Sequence, residues 1–240
     1  MSAAPPTPPG PSLPIDGVLD DLRQALAAGH AVLSGPPGSG KTTRVPLALL
    51  DEPWLAEQSI LMLEPRRPAA RMAAERMAAM VQEALGDRIG YQVRFERRIG
   101  ARTRIQVLTE GILTRRIQGD PDLEGVGLLV FDEFHERSLQ ADLGLALALD
   151  AAAVLRPDLR ILVMSATLDT QAVSRLLGGA PVIRCAGRAH PVESIYAERR
   201  GERDSVEAVV AGVCRAFAER GGDLLAFLPG GGEIRRALAR

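Results

Sequence analysis

The chain has 240 residues, of which 46% are hydrophobic and 25% are charged, and its net charge is −1. These fractions are ordinary for a globular protein and exclude wholesale disorder or a fibrous repeat. The length suits one large domain, or one domain and part of a second. No apolar run approaches about 18 residues and no basic-then-apolar leader opens the chain, so neither a membrane partner nor secretion is expected. Two cysteines without CxxC spacing form no disulfide framework, which favours a cytoplasmic location.

The basic residues are almost all arginine, and many of them are concentrated in one segment. Arginine occupies 28 of the 29 basic positions, and the single lysine is Lys41. Residues 60–120 carry twelve arginines against seven acidic residues, which gives this segment a charge of +5. Such a segment indicates either a face that meets a polyanion or a solvated helix surface, and charge alone leaves both open.

In chain order, residues 1–15 are rich in proline and are expected to be disordered. From residue 16 to 186, short apolar runs alternate with stretches of helical periodicity. The predicted strands are 31–34, 59–63, 104–108, 127–132, 160–165 and 182–185. The predicted helices are 41–50, 68–85, 110–118, 139–155 and 170–177. This alternation predicts an α/β domain with a mostly parallel sheet covered on both faces.

The residues after 186 are too few for an independent domain. Residues 187–203 mix charge with glycine and proline, which predicts a connector with one strand at 192–197. A helix at 205–220 and a strand at 223–228 are predicted to follow. One helix and one strand cannot bury both of their faces alone, so residues 204–240 are interpreted as the truncated start of a second α/β domain.

A phosphate-binding loop follows the first predicted strand. Residues 35–42 read GPPGSGKT and fit the pattern G-x-x-x-x-G-K-S/T in full, between a strand and a helix. In this pattern backbone N–H groups converge on phosphate oxygens, Lys41 reaches the β- and γ-phosphates, and Thr42 binds Mg²⁺. The alternative is a plain glycine-rich turn, which the full pattern and the single lysine disfavour. The expected cofactors are ATP and Mg²⁺, and the residues expected to hold them are Gly35, Pro36, Pro37, Gly38, Ser39, Gly40, Lys41, Thr42 and Thr43.

Such a site needs a carboxylate to hold the metal ion. The strand predicted at 127–132 ends in Asp132, which would bind Mg²⁺ through water, and Glu133 follows, placed to orient the attacking water. An exposed acidic turn would explain this pair alone, but it becomes the lesser interpretation beside the phosphate loop. The chemistry indicated is in-line transfer of a phosphoryl group to water.

Six segments together resemble the DEAH-type helicases of superfamily two. They are the phosphate loop running into TTRVP (42–46), EPRRPAA (64–70), GYQVRFE (90–96), TEGIL (109–113), DEFHERS (132–138) and SATLD (165–169). Phe134 and the residues after it look most similar to the bacterial HrpB branch of this family. FLPGGGEI (227–234) resembles the opening of that branch's second helicase domain, so the resemblance covers nearly everything from residue 16 onward.

The resemblance implies two RecA-like domains that clamp ATP between them and move along single-stranded nucleic acid, with RNA favoured over DNA. It implies that Lys41, Asp132, Glu133 and His135 form the catalytic set. It assigns the coupling between nucleotide state and strand movement to His135, Ser165 and Thr167. The residues implied to contact the sugar-phosphate backbone are Arg66, Arg67, Arg94, Thr109 and Gly111, while Arg76 is implied to stack on the adenine. Backbone contact without base readout predicts weak sequence preference and strong salt dependence.

The resemblance implies that the family's arginine fingers and water-positioning glutamine would lie beyond the last residue of this chain. Because an arginine finger raises turnover by about 10³–10⁵-fold in related NTPases, we expect this chain to bind ATP–Mg²⁺, hydrolyse it slowly and unwind nothing.

Two alternatives remain: another P-loop ATPase, of the AAA+ type, or a non-catalytic nucleotide-dependent fragment that binds nucleic acid. The SAT segment at 165–167 and the absence of asparagine, which could serve as a polar sensor, weigh against the AAA+ interpretation. The oligomeric state is left open.

Overall fold

The structure, a computed structural model, describes residues 12–166, 170–187, 192–196 and 205–240. The chain divides into two units, Met1–Arg188 and Ala189–Arg240. The first unit contains a sheet of eight strands, and the second contains helices. No helix within the described ranges is long and apolar enough to cross a membrane.

The sheet of the first unit is parallel except at one edge. Its strands are β1 (Ala31–Ser34), β2 (Ser59–Glu64), β3 (Ile89–Val93), β4 (Glu96–Arg98), β5 (Ile105–Thr109), β6 (Val126–Phe131), β7 (Arg160–Ser165) and β8 (Val182–Arg184). They lie side by side in the order β4-β3-β5-β2-β6-β7-β1-β8. Only β4 runs antiparallel to its neighbour, β3. The mostly parallel sheet predicted from the sequence is therefore confirmed.

Helices cover both faces of this sheet. In the first unit they are α1 (Leu19–Ala28), α2 (Lys41–Leu49), α3 (Arg67–Met80), α4 (Glu110–Gly119), α5 (Leu139–Val154) and α6 (Thr170–Leu176), with 3-10 helices at Pro14–Val18 and Phe134–Glu136. All five helices predicted before residue 186 are present, and the strands predicted at 31–34 and 160–165 have those bounds. The other predicted bounds shift by one or two residues, except that α3 ends at Met80 rather than at residue 85.

Strand side chains alternate between two hydrophobic clusters, one on each face of the sheet. In β6, Leu128 and Val130 belong to the cluster that α1, α2 and α3 cover. Leu129 and Phe131 belong to the opposite cluster, which α4, α5 and α6 cover. All four are buried, and each side chain of this size that is fully removed from water contributes about 1.5–3 kcal/mol. Burial on both faces explains why these strands are continuous apolar runs in the sequence.

Two predicted strands in the second unit are wrong. Residues 192–196 and 223–228 form no strand, and Ala197 lies outside the described residues. A strand must pair its backbone N–H and C=O groups with a neighbouring strand. The described part of this unit provides only the helices α7 (Ser205–Glu219) and α8 (Gly231–Leu238), so an apolar run there has no strand to pair with.

Several elements were not predicted. The hairpin of β3 and β4 was missed because the three residues of β4 are charged and exposed, so no apolar run marks that strand. Helix α1 was missed although Leu19, Leu22 and Leu26 are buried at helical spacing. The disorder expected for residues 1–15 falls mostly outside the described residues. Pro14, however, begins a 3-10 helix and Ile15 is fully buried, so the expected disorder is wrong for these two residues.

Candidate active site

The candidate site lies at one edge of the sheet, where five neighbouring parallel strands end. These strands are β5, β2, β6, β7 and β1, in spatial order. Ligands of open α/β sheets bind at this edge, beyond the carboxyl ends of the strands. Most of the predicted nucleotide-binding residues follow β1 or β6, whereas Arg76 lies on α3. The residues predicted to contact nucleic acid lie at or after the ends of β2, β3 and β5, so the two sets lie next to each other along this edge.

The phosphate loop connects β1 to α2 and depends on glycine for its shape. Gly38 and Gly40 have φ angles of +75° and +97°, which other residues rarely adopt. Gly40 is the residue immediately before α2, and the helix begins at Lys41. The first N–H groups of a helix have no partner within the helix and carry its positive dipole end. The loop therefore directs backbone donors toward the place where an anion would bind.

The side chain of Lys41 lies inside this loop. It is 4% exposed, and its Nζ atom donates hydrogen bonds to the carbonyl oxygens of Gly35 at 2.7 Å and Pro36 at 3.0 Å. A buried ammonium is stable only when acceptors replace its water. The loop thus holds the only lysine of the chain against its own backbone, inside the predicted phosphate-binding loop.

The predicted metal-binding groups are in direct contact. Thr42 Oγ1 donates a 2.5 Å hydrogen bond to Asp132 Oδ2, and Asp132 is buried immediately after β6. The Glu133 backbone N–H donates to Asp132 Oδ1 at 2.8 Å, which fixes the second carboxylate oxygen. Mg²⁺ prefers oxygen ligands and is usually bound by one or two protein groups together with water and phosphate. The pair of Thr42 and Asp132 fits that ion. Within the described residues no cluster of three or more His, Cys, Asp or Glu side chains is arranged to hold a metal by itself.

Three acidic side chains crowd this place. Burial, together with the nearby Asp132 carboxylate, raises the pKa of Glu64 to about 9, and the two carboxyl groups share a hydrogen bond. Burial also raises the pKa of Asp132 and, with the charge of Asp132, the pKa of Glu133. Carboxyl groups held together without a cation cannot all ionise freely. A divalent cation bound here would stabilise the ionised forms of these groups.

The turn after Asp132 is strained at both of its ends. Glu133 and Arg137 each have a φ angle of +47°, and a short 3-10 helix, Phe134–Glu136, lies between them. His135 Nδ1 is 3.3 Å from Glu133 Oε2 and 3.4 Å from the backbone nitrogen of Ala166. The Ala166 N–H donates to Nδ1, the same imidazole nitrogen that faces the Glu133 carboxylate. His135 therefore connects the predicted water-positioning residue to the end of β7.

The predicted coupling residue Ser165 is buried where β7 meets the phosphate loop. Its backbone oxygen accepts a 3.1 Å hydrogen bond from the Gly35 N–H. Thr167, its predicted partner, lies outside the described residues. His135 therefore contacts the peptide group that joins Ser165 to Ala166.

The five predicted nucleic-acid contacts do not lie in one place: three share a depression, Arg66 lies in a separate cleft, and Arg67 lines neither. Arg94, Thr109 and Gly111 line one depression of about 690 Å³, together with Phe95, Arg115 and Arg116. The guanidinium of Arg94 lies over the Phe95 ring at 4.7 Å from its centroid, and that ring is 90% exposed. An exposed aromatic ring beside several arginines is a surface to which a single strand could bind.

Arg66 lies elsewhere, in a cleft of about 430 Å³ next to the metal-binding groups. This cleft is also lined by Thr42, Thr43, Arg76 and Glu133. Arg66 Nη2 forms a 2.7 Å ion pair with Glu136 Oε1. Arg67 is exposed at the start of α3 and lines neither cavity.

Sequence reasoning did not single out Glu64 or Glu136 as site residues. Glu64 carried a usable signal, because it ends the buried strand β2 just as Asp132 follows the buried strand β6. Glu136 carried none, since its contact with Arg66 joins residues 70 positions apart.

Residues 21–176 of the chain match the DEAD/DEAH box helicase family. The chain is 48% identical over 226 residues to a protein of Escherichia coli (strain K12) described as the ATP-dependent RNA helicase HrpB. The match covers 94% of this chain and 28% of that relative, so the chain spans less than a third of the relative's length.

Two crystal structures, of the E. coli DEAH/RHA helicase HrpB and of the E. coli DExH-box NTPase HrpB, superpose with TM-scores of 0.87 and 0.76. Their sequences are 48% and 47% identical to this one, and the matches cover 95% and 96% of this chain and 29% of each of those chains. This chain belongs to the DEAD/DEAH box helicase family.

Proposed function

We propose that this chain is the ATP-binding portion of an ATP-dependent RNA helicase. In this proposal residues 16–186 form the RecA-like ATP-binding domain, 187–203 a connector, and 204–240 the start of a second RecA-like domain. The observation that carries the proposal is the 2.5 Å hydrogen bond between Thr42 Oγ1 and Asp132 Oδ2. It joins the end of the phosphate loop to the end of β6 and puts two oxygen ligands for Mg²⁺ side by side.

The residues of the loop would bind and orient the triphosphate. Gly35, Gly38 and Gly40 provide the backbone shape, and Pro36, Pro37 and Ser39 complete the loop. Lys41 would exchange a carbonyl acceptor for an oxygen of the β- or γ-phosphate, which keeps its ammonium hydrogen-bonded throughout. Thr42 and Asp132 would hold Mg²⁺, which neutralises the charge that develops on the phosphates. Thr43 and Arg76 line the adjoining cleft, where Arg76 would stack on the adenine.

Glu133 would position the attacking water. Burial and the charge of Asp132 raise the pKa of Glu133, and a Mg²⁺ ion held by Asp132 would favour its ionised form again. The Glu133 carboxyl group also lies 3.3 Å from His135 Nδ1. Its backbone is held by the bond to Asp132 Oδ1, so the side chain starts from a fixed place. His135, Ser165 and Thr167 would carry the change of nucleotide state toward the strand-binding half of the site.

The strand-binding half would follow the ends of β2, β3 and β5. Arg66, Arg67 and Arg94 would meet phosphates, and Thr109 and Gly111 would offer a hydroxyl and backbone groups to the same sugar-phosphate chain. RNA is proposed as the strand because the E. coli relative is an RNA helicase. The two cysteines, Cys185 and Cys214, are free thiols, which suits the reducing cytoplasm that we propose as its location.

The experiment is to measure ATP binding and ATP turnover of this chain with and without single-stranded RNA. We expect ATP–Mg²⁺ to bind, Lys41→Ala to abolish binding, and turnover to be slow and stimulated by RNA. Glu133→Gln should retain binding and lose turnover by about 10²-fold or more, because it removes only the group that orients water.

Glu124→Gln, an exposed glutamate outside the site, is the matched control and should behave as the wild type. The proposal is overturned if ATP does not bind, or if Lys41→Ala leaves binding unchanged. Single-stranded DNA in place of RNA tests the choice of strand.

A further inference from the structure

The segment before α1 packs against the phosphate loop. This N-terminal segment consists of residues 13–16, and its last three residues are the first three of the 3-10 helix Pro14–Val18. The Ile15 backbone N–H donates a 3.1 Å hydrogen bond to the carbonyl oxygen of Ser39, inside the loop. The Ile15 side chain is fully buried. The segment is therefore tied to the loop by a backbone hydrogen bond as well as by packing.

Two side chains of the N-terminal segment pack against Gly40. A Cβ atom at Gly40 would lie 2.7 Å from Leu13 Cδ1 and 3.0 Å from Ile15 Cγ2. The space beside the last glycine of the loop is thus filled by two side chains of the N-terminal segment. Gly40 also has a φ angle of +97°, which few residues adopt. Contact with the two side chains holds the loop in that conformation.

An ion pair joins the N-terminal segment to the helix that follows the loop. Asp16 Oδ1 lies 3.8 Å from Arg44 Nε, and the Arg44 side chain is 1% exposed. Asp16 Oδ2 accepts a 2.8 Å hydrogen bond from the Leu13 backbone N–H, which closes the segment on itself. A charge buried this deeply must be compensated, so the position of Asp16 is coupled to that of α2.

We propose that residues 13–16 are positioning residues for nucleotide binding, because they hold the phosphate loop and the start of α2 in the conformation that receives the phosphates. Ile15 fixes Ser39, Leu13 and Ile15 support Gly40, and Asp16 anchors Arg44 three residues after Lys41. None of these side chains is expected to touch the nucleotide. The effect on ATP rests on the function proposed above, whereas the effect on loop order does not.

The test compares Asp16→Asn with Asp21→Asn. Asparagine at position 16 retains an acceptor for the Leu13 amide and removes only the charge that faces Arg44, while Asp21 is an exposed aspartate on α1. The first measurement is amide hydrogen exchange without nucleotide. We expect exchange in residues 38–42 to speed up by about tenfold in Asp16→Asn while β6 and β7 are unchanged, and we expect no change in Asp21→Asn.

A second variant, Leu13→Ala, keeps the ion pair and removes packing from Gly40, so it tests the same inference if Asp16→Asn does not fold. Faster exchange spread evenly over the sheet, or no change in the loop, would overturn the inference, since either result confines residues 13–16 to general stability.

The nucleotide measurement is the ATP–Mg²⁺ dissociation constant of the same variants. Asp16→Asn and Leu13→Ala should weaken binding by about fivefold to tenfold, with turnover at saturating ATP changed by less than about twofold. If the wild type binds no ATP, the proposed function fails while loop exchange still decides the inference. Unchanged affinity in a variant whose loop exchanges faster would overturn the positioning role.

Discussion

Lys41 shows what a single residue contributes to this site. Its ammonium donates to two loop carbonyls, and each acceptor lies on the loop backbone itself. A guanidinium is a flat fork with five donors and is too wide to take the place of a compact ammonium. This is the physical reason why the only lysine occurs here, in a chain that uses arginine at its 28 other basic positions.

We therefore expect Lys41→Arg to weaken ATP–Mg²⁺ binding by about tenfold or more, although the charge is kept. The dissociation constant for a fluorescent ATP analogue measures the effect. Arg175→Lys, an exchange of the same two residue types at an exposed position of α6, should leave the constant unchanged. Equal affinity of Lys41→Arg and the wild type would show that charge alone suffices.

From the surroundings of His30 we predict that the free energy of unfolding depends on pH, independently of the candidate site. Its Nδ1 atom accepts a 3.1 Å hydrogen bond from the Ile161 N–H, which requires an unprotonated nitrogen. Burial and the nearby positive charge of Arg160 lower its pKa from the ordinary value of 6.5. Between the folded and unfolded pKa values the unfolded chain binds more protons. The free energy of unfolding therefore falls as the pH drops below about 6.5.

In His30→Asn, the amide oxygen Oδ1 takes the place of Nδ1 and can accept the same bond without titrating. We expect urea unfolding midpoints measured from about pH 7 to about pH 5 to fall less in His30→Asn than in the wild type. Parallel pH profiles of the two proteins would assign the dependence to other groups.

At the scale of helices and strands, the sequence predicts the elements whose side chains are buried in a regular pattern. β2, β6 and β7 are buried on both faces and are visible as apolar runs, and the residues that follow two of them mark the site. The hairpin of β3 and β4 is not visible, because its outer strand is stabilised by pairing and by exposed charges. The run at 223–228 shows the opposite case, an apolar pattern that forms no strand in the described structure. Leu225 and Phe227 in that run are 79% and 83% exposed, so an apolar pattern becomes a buried strand only where a neighbouring strand and covering helices are present.

Gly90 controls the unpredicted hairpin. A Cβ atom there would lie 2.2 Å from the Arg98 backbone oxygen and 3.3 Å from Ile99 Cα, so a side chain would force β4 away from β3. Arg94 lies at the turn between these strands. We expect Gly90→Ala to weaken binding of single-stranded RNA by about tenfold while ATP binding stays within about twofold of the wild type.

Gly119→Ala is the control, since a Cβ atom at that position meets no atom within 4 Å. RNA binding by fluorescence anisotropy and ATP binding on the same samples separate the two effects. Equal loss of both affinities would mean that the whole domain is destabilised.

At the scale of the whole first unit, parallel strands explain how distant residues meet. Lys41, Asp132 and Ser165 follow or end three adjacent strands, and the carboxyl ends of parallel strands share one edge. This part of the site follows from the sequence once the sheet is recognised. The contact between Arg66 and Glu136 and the contact between Asp16 and Arg44 do not, because each depends on the path of a turn rather than on a strand end.

The pair of Arg66 and Glu136 connects the two halves of the edge. Arg66 is 69% exposed and precedes α3 on the strand-binding side, and Glu136 belongs to the turn that contains Glu133. An exposed ion pair is weak, so a phosphate of the strand can replace Glu136 as the partner of Arg66. If Glu133 positions the attacking water and Arg66 binds the strand, as proposed above, strand binding would release this turn and link RNA binding to ATP hydrolysis.

If this exchange occurs, Glu136→Gln should strengthen RNA binding by about twofold to fivefold, because Arg66 no longer has to leave a carboxylate. In the background of Arg66→Ala the same substitution should have no effect on RNA affinity, so the two changes form a double-mutant cycle with a measurable coupling. Glu124→Gln provides the control for removing one negative charge from the surface. Additive effects of the two substitutions would show that Arg66 and Glu136 act independently, and the link between strand and turn would then have to pass through His135 and Ala166.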